Sequence, residues 1–65
     1  MMARQVVAGG LIPRGEVLTA ERLAFKRADA RHEPGFSPRE SHRIIGRRAR
    51  RPIQADEVIR EDMLE

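Results

Sequence analysis

The stretch IPRGEVLTAERL, residues 12–23, returns in altered form as IQADEVIREDML, residues 53–64. An offset of 41 positions aligns the two copies, and the identical residues are Ile12 with Ile53, Glu16 with Glu57, Val17 with Val58, and Leu23 with Leu64. Each copy contains an apolar residue, a tight turn, an apolar pair and a short helical turn. Gly15 and Asp56 occupy the same place in the turn, and both residue types tolerate a positive φ.

This repeat predicts how so short a chain obtains a core. A unit of twelve residues cannot bury its own apolar side, whereas two copies can bury theirs against each other. We therefore expect a mostly β, small and irregular fold with short helical turns and an internal pseudo-two-fold repeat. Residues 1–65 would form a single domain with halves at about 12–23 and 53–64. Chance similarity between two polar-apolar segments is the alternative.

Size and composition limit the possible classes of protein. A chain of 65 residues buries only about 60% of its unfolded surface, so the core is expected to be small. There is no cysteine, hence no disulfide and no thiolate metal site, which fits a reducing cytoplasm. The longest apolar run is far below the roughly 20 residues that cross a bilayer. We expect a soluble, cytoplasmic chain that does not enter a membrane.

Local patterns indicate further elements outside the two copies. Residues 6–8 are a short apolar run with two β-branched valines that ends at a Gly-Gly pair, which is typical of a strand followed by a turn. Ser37, followed by Pro38 and by Glu40 at the third helical position, indicates a helix start with a capping box. Gly46 would end that turn. Residues 47–53, RRARRPI, are expected to run as a strand.

Basic residues raise the question of nucleic-acid binding, because the net charge is +3 and the pI is near 11. Charge is densest at Arg47, Arg48, Arg50 and Arg51. In a strand these side chains would point alternately to two faces and would not form one focused patch. The aromatic residues on which single-strand binders stack bases are also missing from this segment. We therefore expect no nucleic-acid partner, and favour solvation or contact with an acidic partner domain.

The order of motifs along the chain resembles that of a known family. The motifs are VVAGGLIPRGEVLTAERLAFKR at residues 6–27, PGFSP at 34–38, and RIIGRRARRPIQADEVIREDML at 43–64. Together they resemble the SAF, or antifreeze-like, domain, and in particular the version that closes the chain of bacterial N-acetylneuraminate (sialic acid) synthases. Lys26-Arg27, the GFSP run and Ile45-Gly46-Arg47 favour that branch. The resemblance implies a β-clip fold with internal pseudo-two-fold symmetry.

The same resemblance implies a role for the chain. In these synthases a TIM-barrel domain binds phosphoenolpyruvate, a divalent metal and N-acetylmannosamine, and the antifreeze-like domain of the partner subunit caps that site in a swapped dimer. Arg27 matches the arginine that binds the acetamide oxygen of the sugar, and Lys26 is a second substrate-binding candidate. The chain would need no cofactor of its own and would not be an enzyme by itself. Residues 28–33 lengthen the loop after Arg27 relative to the family.

Two other functions are compatible with a SAF domain. One is a binding or assembly module, as in the chaperone proteins of pili or flagella. The other is ice binding, since fish type III antifreeze proteins share the fold. Ice adsorption there uses a flat, rather apolar face, and the matching stretch here carries strongly hydrated charges at Arg14, Glu16, Glu21 and Arg22. We therefore expect no thermal hysteresis from this chain.

Overall fold

Short strands and short helical segments make up the regular structure. The computed structural model describes residues 4–27 and 35–65. Within them, strands β1 (Arg4–Ala8) and β2 (Leu23–Arg27) form an antiparallel pair. The helical turns are of the 3₁₀ type and span Ala20–Arg22, Pro38–Arg43 and Glu61–Met63. The expected small, irregular, mostly β architecture is confirmed. None of the turns in the described ranges has the length and apolarity that a bilayer-spanning helix needs.

The two copies of the repeated segment adopt the same turn geometry. Gly15 has a φ of 84° and Asp56, at the matching position, has a φ of 66°. In each copy the amide that follows donates a hydrogen bond of 3.1 Å to the carbonyl oxygen three residues earlier. Asp56 is the one non-glycine residue with a positive φ in the described part of the chain. Asp tolerates this region better than most side chains do, which explains how the second copy dispenses with glycine.

The copies meet at their first residues. The Ile12 amide donates to the Ile53 carbonyl and the Ile53 amide donates to the Ile12 carbonyl, each over 2.8 Å. Both isoleucine side chains are fully buried. The aligned residues Leu18 and Ile59, one turn further along each copy, are fully buried as well. The apolar sides of the two copies thus cover each other at the centre of the molecule.

Each copy also pairs with an outer segment, and it does so through matching backbone groups. The Gly15 amide donates to the Ala49 carbonyl over 2.8 Å, and the Ala49 amide donates back to the carbonyl of the next residue, Glu16, over 3.0 Å. In the second copy the Asp56 amide and the carbonyl after it exchange the same two bonds with Ala8 of β1, at 2.8 and 3.0 Å. Ala49 and Ala8 are both fully buried. The second copy therefore joins β1 to the centre of the molecule.

The core is the joint interior of the two copies and their outer segments. Its buried members are Val6, Ala8, Ile12, Leu18, Phe36, Ile44, Ala49, Ile53, Ile59, Met63 and Leu64, with the partly buried Leu23 packed against them. Four large apolar side chains of the described residues remain outside, namely Leu11, Val17, Phe25 and Ile45. Burial of the first set removes these apolar side chains from water, and this is the main favourable term in folding.

The predicted strand over residues 47–53 is wrong. Only isolated antiparallel bridges form there, and each has a different partner: Arg48 with Val17, Ala49 with Leu64, and Ile53 with Ile12. A strand requires consecutive residues to follow one neighbour, and this segment passes from one neighbour to the next. The alternation that suggested a strand is nevertheless present locally, because the buried Ala49 lies between two exposed arginines.

The predicted helix start at Ser37 is confirmed. The Ser37 amide donates to the Glu40 carboxylate over 3.0 Å, and its hydroxyl donates to the same oxygen over 3.2 Å. These bonds, the amide bond first, lower the pKa of Glu40, and Arg43 adds to the effect. The helical segment ends at Arg43, before the expected end at Gly46, and Gly46 instead lies in the turn that follows over residues 44–46, with a φ of 93°.

Gly35 lies where the chain returns against the core, and this position has no room for a side chain. A Cβ built there would lie 2.5 Å from Val58 Cγ1 and 2.6 Å from the Ile59 carbonyl oxygen. We predict that Gly35→Ala lowers the free energy of unfolding by about 1–3 kcal/mol through overpacking, measured by urea denaturation. Gly10→Ala is the matched control, because a Cβ there would meet nothing within 4 Å. Equal stability of the two variants would contradict this close approach.

Candidate functional site

The end of the β1–β2 ribbon carries the residue that the sequence singled out. Arg27 is the last residue of β2 and is exposed. The strand register places it opposite Arg4, the first residue of β1. Phe25, two residues earlier on β2, lies on the same face as Arg27, because side chains alternate along a strand. Its ring is 47% exposed. Two arginines and a half-exposed aromatic ring therefore share one end of the ribbon.

Lys26 lies on the opposite face from Arg27 and forms a different contact. Its ammonium group makes an ion pair with the carboxylate of Asp56, the residue with positive φ in the second copy. Both side chains are more than half exposed, so the pair contributes little by itself to stability. Its geometric effect is to tie β2 to the second copy. The structure thus places the two substrate-contact candidates on opposite faces, and of the two only Lys26 forms an ion pair with another described residue.

The ribbon end is bounded on one side by the returning chain. The Gly35 amide donates to the side-chain oxygen of Gln5 over 2.8 Å, and the Val6 amide donates to the Phe36 carbonyl over 2.9 Å. These bonds hold the return segment against β1. Residues 28–33, the expected loop insertion after Arg27, lie outside the described residues.

Three of the four arginines between residues 47 and 51 contact other groups of the same chain. Arg47 binds both carboxylate oxygens of Glu61, and its Nε donates to the Glu65 carbonyl over 3.1 Å. Hydrogen bonding to Glu61 is the main reason why the pKa of Arg47 is raised. Arg48 donates to the Gly15 carbonyl over 3.0 Å. Arg51 lies 3.4 Å from the carboxylate of Glu57. Most of this charge therefore has a local structural use.

His42 makes a local contact in the structure. His42 Nδ1 lies 3.1 Å from the Arg39 carbonyl, a local contact within one helical turn. In residues 4–27 and 35–65 no group of three or more His, Asp or Glu side chains could hold a metal ion. On the stretch compared with ice-binding faces, Glu16 pairs with Arg22 over 3.0 Å and Arg14 is exposed. The hydrated charges that the sequence indicated are thus present on that surface.

Comparison with known proteins agrees with this geometry. The family model of the SAF domain matches residues 3–65. The chain belongs to the SAF domain family. A solved structure that it resembles is the antifreeze-protein-like domain in the human N-acetylneuraminic acid phosphate synthase gene, determined in solution. The TM-score is 0.81 at 26% identity, over 94% of this chain and 73% of that one. A comparison with curated proteins gives no match.

These findings confirm the resemblance drawn from the motifs. This SAF domain has the antifreeze-like fold and resembles a domain of a sialic acid synthase. Sequence reasoning identified Arg27 through its motif but missed Arg4, because only the strand register shows that Arg4 lies opposite Arg27. The sequence contains one signal for Arg4: it is separated from the predicted strand at residues 6–8 by a single residue, Gln5.

The Arg47–Glu61 pair predicts an acid-dependent loss of stability. The hydrogen bonds from Arg47 lower the pKa of Glu61 below its ordinary value of 4.5. A lowered pKa in the folded state gives stability that is present above the ordinary value and is lost as the pH falls through the lowered one. We predict that Glu61→Gln reduces stability at neutral pH and flattens its decline below about pH 4.5, measured by urea denaturation at several pH values.

Glu21→Gln is the control for this experiment. Its carboxylate is exposed and has no ion pair with any residue that the structure describes. Its pH profile should follow that of the unchanged protein. A Glu61→Gln profile that also follows the unchanged protein would contradict a stabilising role for the pair.

Proposed function

We propose that this SAF domain is the antifreeze-like accessory domain of a sialic acid synthase-type enzyme. In this role it caps the barrel active site of a partner subunit and helps to bind an N-acetylmannosamine-type substrate through Arg27. The observation that carries the proposal is the likeness to the antifreeze-like domain of a synthase, combined with an exposed arginine at the matching motif. The absence of cysteine is in keeping with work in the cytoplasm.

The surroundings of Arg27 support a contact with an outside group. The guanidinium is exposed, and no carboxylate among residues 4–27 and 35–65 forms an ion pair with it. Arginine stays charged at every physiological pH and presents planar donors that can hold a carbonyl oxygen in a partly dehydrated pocket. Lys26, in contrast, is held by Asp56, so we propose it only as a secondary contact.

The support beneath Arg27 suits a residue that must be placed precisely against another molecule. β2 is paired along its whole length with β1, and β1 is buried from Gln5 to Ala8. The Lys26–Asp56 ion pair braces the opposite face of β2. A side chain at the end of a rigid strand keeps its position better than one on a free loop does.

In this proposal the barrel domain and the SAF domain have separate roles. The condensation chemistry, with its divalent metal and phosphoenolpyruvate, would belong to the barrel domain. This chain would supply a binding group and would exclude water from the partner's site. Binding energy from such a cap assists the reaction by orienting the sugar.

Replacement of Arg27 tests the proposal in the assembled synthase. We predict that Arg27→Ala raises the KM for the amino sugar by about 10- to 150-fold, since a charge-assisted hydrogen bond contributes about 1.5–3 kcal/mol. The KM for phosphoenolpyruvate should change little. Steady-state kinetics with each substrate varied in turn makes the measurement.

Arg14→Ala is the matched control, because Arg14 is an exposed arginine in a turn of the same domain. It should leave both constants unchanged. An unchanged sugar KM in Arg27→Ala would refute Arg27 as a substrate contact. A similar rise in both constants would instead indicate a general loss of the cap.

A further inference from the structure

The pairing of β1 with β2 places two arginines, Arg4 and Arg27, directly opposite each other. Val6 directs both backbone groups away from β2: its amide donates to Phe36 over 2.9 Å, and its carbonyl accepts from Ile59 over 3.1 Å. Hydrogen-bonded and non-hydrogen-bonded pairs alternate along an antiparallel ladder. Arg4, two residues before Val6, therefore faces Arg27 in a non-hydrogen-bonded pair. Side chains in such pairs are the closest across a ladder, with Cα atoms about 4.5 Å apart.

Like charges that lie directly opposite each other on paired strands are unfavourable. Six of the twelve lysine and arginine side chains in the described residues form an ion pair with a carboxylate, among them Arg22, Lys26 and Arg47. Arg4 and Arg27 form no such pair within the described ranges. Their position leaves a concentrated positive potential at the exposed end of the ribbon.

We propose that Arg4 and Arg27 together form an oxyanion-binding site that takes a phosphate or carboxylate group. Two guanidinium groups on one face can each direct planar N–H donors at the oxygens of a single anion. The anion would cancel the repulsion between the two cations. Anion binding would therefore also stabilise this end of the β1–β2 ribbon. The exposed Phe25 ring, on the same face, would pack against the apolar part that bears the anion.

The strand register alone carries this site, whether or not the domain caps a barrel. The proposed sugar contact involves a neutral carbonyl and Arg27 by itself, whereas the present site requires Arg4 and a negative charge. The two ideas can therefore fail separately. A phosphoryl group on a small molecule and a carboxylate on a ligand or a partner's side chain are the two possible sources of the anion.

Titration of the 65-residue chain with inorganic phosphate, followed by amide chemical shifts, tests the site. Acetate provides the carboxylate arm, and chloride at equal ionic strength corrects for screening. We expect saturable shifts at the amides of β1 and β2 near the ribbon end. In Arg4→Gln and in Arg27→Gln the apparent Kd should be at least about tenfold weaker, while Arg14→Gln should keep it.

A second variant tests the geometry without any anion. Arg4→Glu would place a carboxylate opposite Arg27, so it should raise the thermal midpoint and abolish phosphate binding. Stronger binding of phosphate than of acetate would identify a phosphoryl group as the preferred anion, and stronger binding of acetate would identify a carboxylate. Shifts that match those of chloride, or that persist in Arg4→Gln, would overturn the site.

Discussion

The two reciprocal hydrogen bonds between Ile12 and Ile53 join the halves of this small domain. They connect the first residues of two similar segments, and both side chains are fully buried. A buried backbone group that lost its partner would carry a large desolvation cost, so these bonds and the surrounding apolar contacts form together. Neither segment is long enough to provide a core alone. The fold therefore depends on the two copies meeting in this register.

The position of the candidate site follows from that contact through a short series of interactions. Ile53 brings the second copy to the centre, and the second copy then exchanges backbone hydrogen bonds with β1. β1 determines the register of β2, and the register places Arg27 opposite Arg4 at an exposed end. Lys26 and Asp56 add a link between β2 and the second copy. Arg27, which we propose to contact another molecule, is thus supported through β1 by the buried core of this domain.

Sequence reasoning was successful where local chemistry determines structure. The matched turns and the helix start at Ser37 each depend on a few neighbouring residues. It failed where partners are distant. LAFKR at β2 has no β-branched residue and becomes a strand because β1 offers an edge. Residues 47–53 alternate correctly but contact three different neighbours. The importance of Arg4 was hidden for the same reason, since only the register reveals its neighbour.

Hydrogen exchange at the amides of Ile12 and Ile53 tests the central claim most directly. If the two copies depend on one another, neither amide can open while the rest of the fold persists. Both should then exchange only through global unfolding, with equal protection that matches the free energy of unfolding from denaturation. Unequal protection of the two amides, or exchange of either one at well below the global free energy, would contradict the account.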